Sequence, residues 1–277
     1  MNEKVLENFI KLTHAKHMVS ELLAQSPKRM DQFDSRYIAA MAESDERIIA
    51  CMREGKPFLH SWYFNAPELY TAMDLDWYTC SFPAVFAVNV EGPSVFEETD
   101  KIPLDHDICT LQRLMLRSIE GDFAPVPTIS VAGLTPCDGI GLFHEALKQY
   151  PGWRDIPVLE MDPPYWEDEA ALRYYGTEIR RMAKGLEGLT GKALDLDRLK
   201  QVLEESNKQY DMWVEYNDAR RMKPCPHPSF SGDKIFNIAQ SIPSTVGHSS
   251  GTELIRALLD DEMEMVRNKK AGWKMKK

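Results

Sequence analysis

Apolar residues recur at helical spacing over residues 2–25, where Val5, Phe9, Ile10, Leu12, Val19, Leu22 and Leu23 share a stripe. A second helical stripe, Tyr37, Ile38, Met41, Ile48, Ile49 and Met52, covers residues 35–53 and stops at Gly55. The period then shortens. Residues 57–62 (PFLHSW) predict a buried strand, followed by a helix with Pro67 and Glu68 in its early turn and Asn65 as its cap. Residues 76–82 predict a further strand with Cys80 as a small core residue. Residues 83–105 show no clear period and read as a long surface excursion. The stretch 106–147, which starts at His106, holds a helix after Cys109, a buried strand at 127–134 and a helix after Cys137. Residues 156–161 predict one more strand, ended by Asp162-Pro163-Pro164.

From Trp166 the pattern turns to long charged helices, at 167–186 and 195–221, with Asp195 as the cap of the second. Leu199, Val202, Leu203, Tyr210, Trp213 and Val214 are expected to form its packing face. A Pro-punctuated linker at 223–231 precedes helices near 233–240 and 250–267. The expected fold is α/β: N-terminal helices at 1–55, a Rossmann-like parallel-sheet domain at 56–165, and a helical region at 166–277.

Composition narrows the function classes. The 277 residues, 43% apolar and 27% charged, suit one large globular domain or two. A net charge of −10 argues against a nucleic-acid or anionic-membrane partner, both of which need clustered Lys and Arg. No apolar run approaches a membrane span, and the N-terminus lacks a signal-peptide block. Five cysteines in a chain of this length suit a reducing cytoplasm better than a disulfide framework. The last eleven residues hold six bases and no acid.

The candidate chemistry centres on Cys109 and Cys137. Their separation of 28 residues carries no local zinc or ferredoxin spacing, so spacing alone leaves them as two structural cysteines. Placement says more. Each thiol stands directly before a predicted helix, and one strand connects the two, so an α/β unit would bring both to helix N-termini on one sheet edge. A thiol there is a better metal ligand or nucleophile. Asp138 can cap the second helix, and Gly139 and Gly141 allow a bulky group such as an iron–sulfur cluster to approach. Zinc is the alternative, with further ligands unplaced. Glu68 has two readings: a carboxylate favoured by a helix N-terminus, or a catalytic or cluster-facing acid at the carboxyl end of a strand, where open α/β sheets bind ligands. His60 and Ser61 read as packed residues of the strand before it. His14 and His17, three apart, read as a solvated helix face, and Cys225 and His227 as loop residues.

Several blocks together resemble the subunits of 2-hydroxyacyl-CoA dehydratases and of ATP-dependent benzoyl-CoA reductases. They are HSWYFNAPELYTAMDL, D-I-C-T, T-P-C-D-G, IPVLEMDPP and LEGLTGKALDLDRLKQVLEESN, in that order and at those intervals. The resemblance implies two Rossmann-like halves, with the second expected beyond Lys277. It also implies an oxygen-sensitive 4Fe–4S cluster on three cysteines, of which Cys109 and Cys137 match the first two. Glu68 becomes the candidate acid/base or substrate-hydroxyl contact, with Ser61 and Asn65 as neighbours. The implied partners are an acyl-CoA substrate, a homologous partner subunit, and a separate ATP-hydrolysing Fe–S activator. The implied chemistry is one-electron reduction of the thioester, so that the resulting ketyl radical expels the 2-hydroxyl and makes the β-proton acidic. Alternative readings are a related double-cluster reductase of other small molecules, and a non-catalytic partner subunit that keeps the scaffold without a cluster.

Overall fold

The computed structural model describes residues 2–63, 65–92, 94–102, 104–105, 107–134, 137–227 and 229–272. Phe64, His106, the Thr135-Pro136 pair before Cys137, and the last five residues of the basic tail therefore lie outside the described residues. The chain divides into two compact units, Met1–Ala15 with Ser44–Leu194, and Lys16–Glu43 with Asp195–Lys277. The division falls within the first two helices, α1 (Glu3–Ala24) and α2 (Arg29–Glu54). None of the described helices is long and apolar enough to cross a membrane.

The first unit is built on four parallel strands, β1 (Leu59–Ser61), β2 (Trp77–Tyr78), β3 (Ile129–Gly133) and β4 (Val158–Met161), in the order β2-β1-β3-β4. The central strands β1 and β3 are buried along their whole length, which explains why they read as apolar runs without alternation. From β1 the chain moves outward to β2, then returns to lay β3 on the other side of β1. That reversal makes the carboxyl ends of β1 and β3 the topological switch point, the usual ligand crevice of open α/β sheets.

Alternate strand residues face opposite sides. His60 meets Phe143 and His144 on α7 (Asp138–Leu147), whereas Ser61 meets Tyr70 on α3 (Pro67–Ala72). Helices α3 and α7 therefore cover opposite faces. On the α7 side the core gathers Phe58, Trp62 and Tyr78 with Leu114, Met115 and Ile119 of α6 (Thr110–Glu120), and with Phe9, Ile48 and Ile49 from the N-terminal helices.

Residues 83–105 are not a surface excursion. They carry most of α4 (Ser81–Glu91) and all of α5 (Ser94–Thr99), with Ala84, Ala87, Val95 and Ile102 buried. The helix α4 is apolar nearly all round and holds Pro83 in its first turn, so it shows no amphipathic period and looks broken in sequence. Its start at Ser81 also cuts the predicted 76–82 strand to two residues. Cys80 is fully buried in the core as expected, and burial pushes its thiol up to about 12. After β4 comes α8 (Glu169–Thr190), capped by Asp168, whose side chain accepts from the Ala171 N–H at 2.7 Å.

The second unit holds α9 (Leu196–Ala219), α10 (Ser229–Gln240) and α11 (Ser249–Arg267) with the adjoining parts of α1 and α2. Asp195 caps α9 by accepting from the Asp197 and Arg198 N–H groups. The buried face of α9 differs from the apolar stripe: it is Val202, Ser206, Gln209, Met212 and Tyr216, while Leu203 and Val214 are exposed. The reason is Gln209, whose amide donates to the Thr245 and His248 carbonyls and so turns a polar position inward.

His227 is likewise no simple loop residue. It is buried, with Nδ1 2.5 Å from Glu262 and Nε2 2.9 Å from Asp261. Burial works against its charge, but the hydrogen bonds and charges of Glu262 and Asp261 outweigh it and raise its pKa. This pairing contributes stability that is full below the ordinary value of 6.5 and is lost as pH rises through the raised native value. Urea midpoints measured from pH 6 upward are expected to show that alkaline loss in wild type. In His227→Gln the loss should flatten; an unchanged profile would refute the assignment.

Candidate functional site

Burial sorts the five cysteines. Cys51 and Cys80 are buried, and both thiols are pushed up to about 12, Cys51 by burial and then by the charge of Asp76. Groups held so firmly protonated are inert ligands and nucleophiles. Cys225 lies in the second unit and donates its thiol to the His227 carbonyl at 3.2 Å. Cys109 and Cys137 remain, one exposed and one partly exposed, and they are the N-cap residues of α6 and α7.

Neither thiol caps its own helix with a side-chain hydrogen bond. Gln112 contacts both residues, the first through its backbone and the second at the sulfur. Its backbone N–H donates to the Cys109 carbonyl at 3.0 Å, closing the first turn of α6, and its side-chain amide donates to the Cys137 sulfur at 3.4 Å. Two helix N-termini thus stand together at the carboxyl edge of the sheet, and one residue touches both cysteines. Gly139, expected to leave room for a cluster, is instead covered by this carboxamide: a Cβ there would lie 2.3 Å from both polar atoms of the Gln112 amide.

The other sheet face carries the remaining candidates. Asn65 does not cap α3; that position is Ala66, at φ 50° and without a side-chain cap. The Asn65 amide crosses the switch point, donating to the Val131 carbonyl at 3.3 Å and to Ser61 Oγ at 3.5 Å. It lies against Gly133, where a Cβ would meet its Oδ1 at 2.0 Å, so only glycine allows that approach. Ser61 is fully buried, donates to the Trp62 carbonyl and lies 3.1 Å from the Tyr70 hydroxyl, which donates to the Asn65 carbonyl at 2.9 Å. Glu68 sits in the first turn of α3, 9% exposed. Burial raises the Tyr70 and Tyr175 phenols, and the Glu68 charge raises both further.

The family model for 2-hydroxyglutaryl-CoA dehydratase, D-component, matches residues 62–277. The chain belongs to this family. It is 22% identical over 200 residues to the (R)-phenyllactyl-CoA dehydratase alpha subunit of Clostridium sporogenes, covering 69% of this chain and 48% of that one. It is 28% identical over 144 residues to the (R)-2-hydroxyglutaryl-CoA dehydratase subunit alpha of Acidaminococcus fermentans, covering 50% of this chain and 29% of the relative. The chain thus spans about half or less of the length of these curated relatives.

In this sheet runs a buried polar chain of which sequence reading singled out only His60, as a packed residue. His144 Nδ1 bonds the Ile140 carbonyl at 2.9 Å and must donate, so its neutral Nε2 is an acceptor. Ser130 Oγ, 3.1 Å away, donates to it, and in turn accepts from His60 Nδ1 at 2.9 Å. One proton arrangement therefore runs from β1 through β3 to α7. Burial and then the neighbouring His144 hold His60 well below the usual histidine range, and burial lowers His144.

Gln112 and this His–Ser–His chain are what sequence reading missed. Gln112 carried a usable signal, because three residues after Cys109 is one helical turn. The chain carried none, since its members lie 14 and 70 residues apart.

Proposed function

We propose that this chain is the cluster-bearing part of a 2-hydroxyacyl-CoA dehydratase subunit, with Cys109 and Cys137 as two ligands of a 4Fe–4S cluster. The observation that carries this is the pairing of both cysteines at adjacent helix N-termini through Gln112. Thiolates are the ligands such clusters take, and helix N-termini favour the anionic group they form. Among the described residues no group of three or more His, Cys, Asp and Glu side chains converges on one point, so further ligands come from outside them. When bound, such a cluster supplies a low-potential electron to the acyl-CoA thioester.

This chain's own residues have narrower tasks. Helices α6 and α7 hold the two sulfurs at the switch-point crevice. Glu68, in the first turn of α3 on the opposite face, contacts the 2-hydroxyl or moves a proton there. Ser61 and Asn65 hold that corner of the sheet in shape. The working complex includes a homologous partner subunit and a separate ATP-dependent Fe–S activator. Both curated relatives are dehydratase subunits, which favours dehydration over ring reduction.

A second reading, a scaffold subunit without a cluster, is favoured by the presence of only two ligands among the described residues. Anaerobic assembly with the partner, followed by iron analysis and electron paramagnetic resonance (EPR) spectroscopy, separates the two. Cluster signal that depends on Cys109 and Cys137 supports the first reading; a folded, active complex whose signal ignores both supports the second. In the assembled enzyme, Glu68→Gln is expected to lower kcat about 10²- to 10⁴-fold with little change in thermal stability. Unchanged kcat would remove Glu68 from the chemistry.

A further inference from the structure

Gln112 is 2% exposed, yet its Oε1 has no partner among the described residues, while its Nε2 spends a hydrogen bond on the Cys137 sulfur. A buried carboxamide left half satisfied costs stability, so its retention at this point calls for a reason. Packing alone does not supply one, because a methionine of the same length would fill the space without an orphaned oxygen. The glycine at 139 adds to the case: the carboxamide can lie where it does only because no Cβ stands there.

We propose that Gln112, at the start of α6 after Cys109, is a positioning residue, whose amide holds the Cys137 sulfur in place and donates to it when the sulfur is a ligand. A carboxamide suits both states of that sulfur. Its oxygen can accept from the S–H of a free thiol, and after rotation about its last bond its N–H donates to a thiolate. A carboxylate could serve only the first state. Hydrogen bonds to ligand sulfurs are among the terms that set cluster potentials, and groups orienting metal ligands govern retention. This inference rests on the cluster reading above for its redox part, but its positional part concerns the chain without metal.

The test therefore has two arms. In the metal-free chain, dibromobimane, which fluoresces on bridging two thiols, is expected to bridge Cys109 and Cys137. The bridged fraction should fall several-fold in Gln112→Met and in Gly139→Ala, whose added methyl displaces the carboxamide. In the anaerobically assembled complex, Gln112→Met and Gln112→Glu are expected to shift the cluster midpoint potential, followed by EPR, to more negative values. Iron retention under a chelator should weaken about 10- to 100-fold. Thermal unfolding of each variant separates these effects from a failure to fold.

If wild type bridges, the variants bridge several-fold less and no cluster is taken up, the cluster reading fails while the positional role of Gln112 stands; if the variants bridge as wild type does, that role is overturned. If wild type carries a cluster and both Gln112 variants match it in bridging, potential and retention, the inference about Gln112 is overturned and the cluster reading survives.

Discussion

Replacing Cys109 and Cys137 by serine is expected to abolish dehydration of a 2-hydroxyacyl-CoA by the assembled enzyme, and to remove the cluster signal with it. Serine keeps the shape of each N-cap position but offers a hard alcohol oxygen in place of a thiolate. Because neither sulfur caps its own helix, the exchange should leave α6 and α7 intact, so circular dichroism and thermal unfolding should stay close to wild type. Cys225→Ser, in the other compact unit, is the control and should retain both activity and iron. The outcome that would sink the proposal is full activity in the double variant. Loss of activity with an undiminished cluster signal would instead move the ligands elsewhere and leave the pair with another task.

The second large effect concerns the chain His60–Ser130–His144. Ser130→Ala removes the hydroxyl that both imidazoles use, stranding a buried donor on His60 and a buried acceptor on His144. Each orphan costs about 1–3 kcal/mol, so a loss of about 2–6 kcal/mol is expected in urea unfolding. The same chain makes the fold sensitive to acid. Both imidazoles are neutral in the native state with their pKa values lowered, whereas the unfolded chain titrates them at the ordinary value of 6.5. Their contribution is thus complete above that value and lost as pH falls below it, with a slope approaching about 2.7 kcal/mol per pH unit for two protons. In His144→Gln one of the two protons is gone, so the slope should be shallower by about half. A wild-type stability that is flat from pH 7 to 5 would contradict the arrangement.

Helix α7 is shared by one of the two sulfur sites and the buried chain. Its N-cap is Cys137, and two turns further on His144 ties it to β3 and β1. His144 thus anchors to β3 the same helix that presents the Cys137 sulfur. Asn65 plays the matching part on the other face by closing β1 onto β3 at Gly133.

Much of this was legible along the chain. The helical spacing of α1 and α2 (though Val19 and Leu22 of the predicted α1 stripe are exposed), the helical character of α8 and α11, the buried strands β1 and β3, and the capping role of Asp195 are local, because helix period and cap chemistry are settled within a few residues. The assignment of Cys109 and Cys137 to helix starts was local for the same reason. Helix α4 was not legible because its residues are apolar nearly all round and leave no polar face to mark a period, and α5 was not because six residues with only Val95 and Thr99 buried are too short to show one. The inward face of α9 failed differently: Gln209 and Ser206 are polar by identity and interior by hydrogen bonding, a partnership that sequence does not show.

By itself, then, the sequence determined the order of the elements other than α4 and α5, the parallel α/β architecture and the two cysteines at helix starts, from short-range periodicity and capping. Only the tertiary structure decided that Gln112 lies between those cysteines, that Asn65 spans the switch point, and that His60, Ser130 and His144 share one proton arrangement. Those facts depend on strand register and on which face each helix covers, and both are set by packing between residues far apart in the chain.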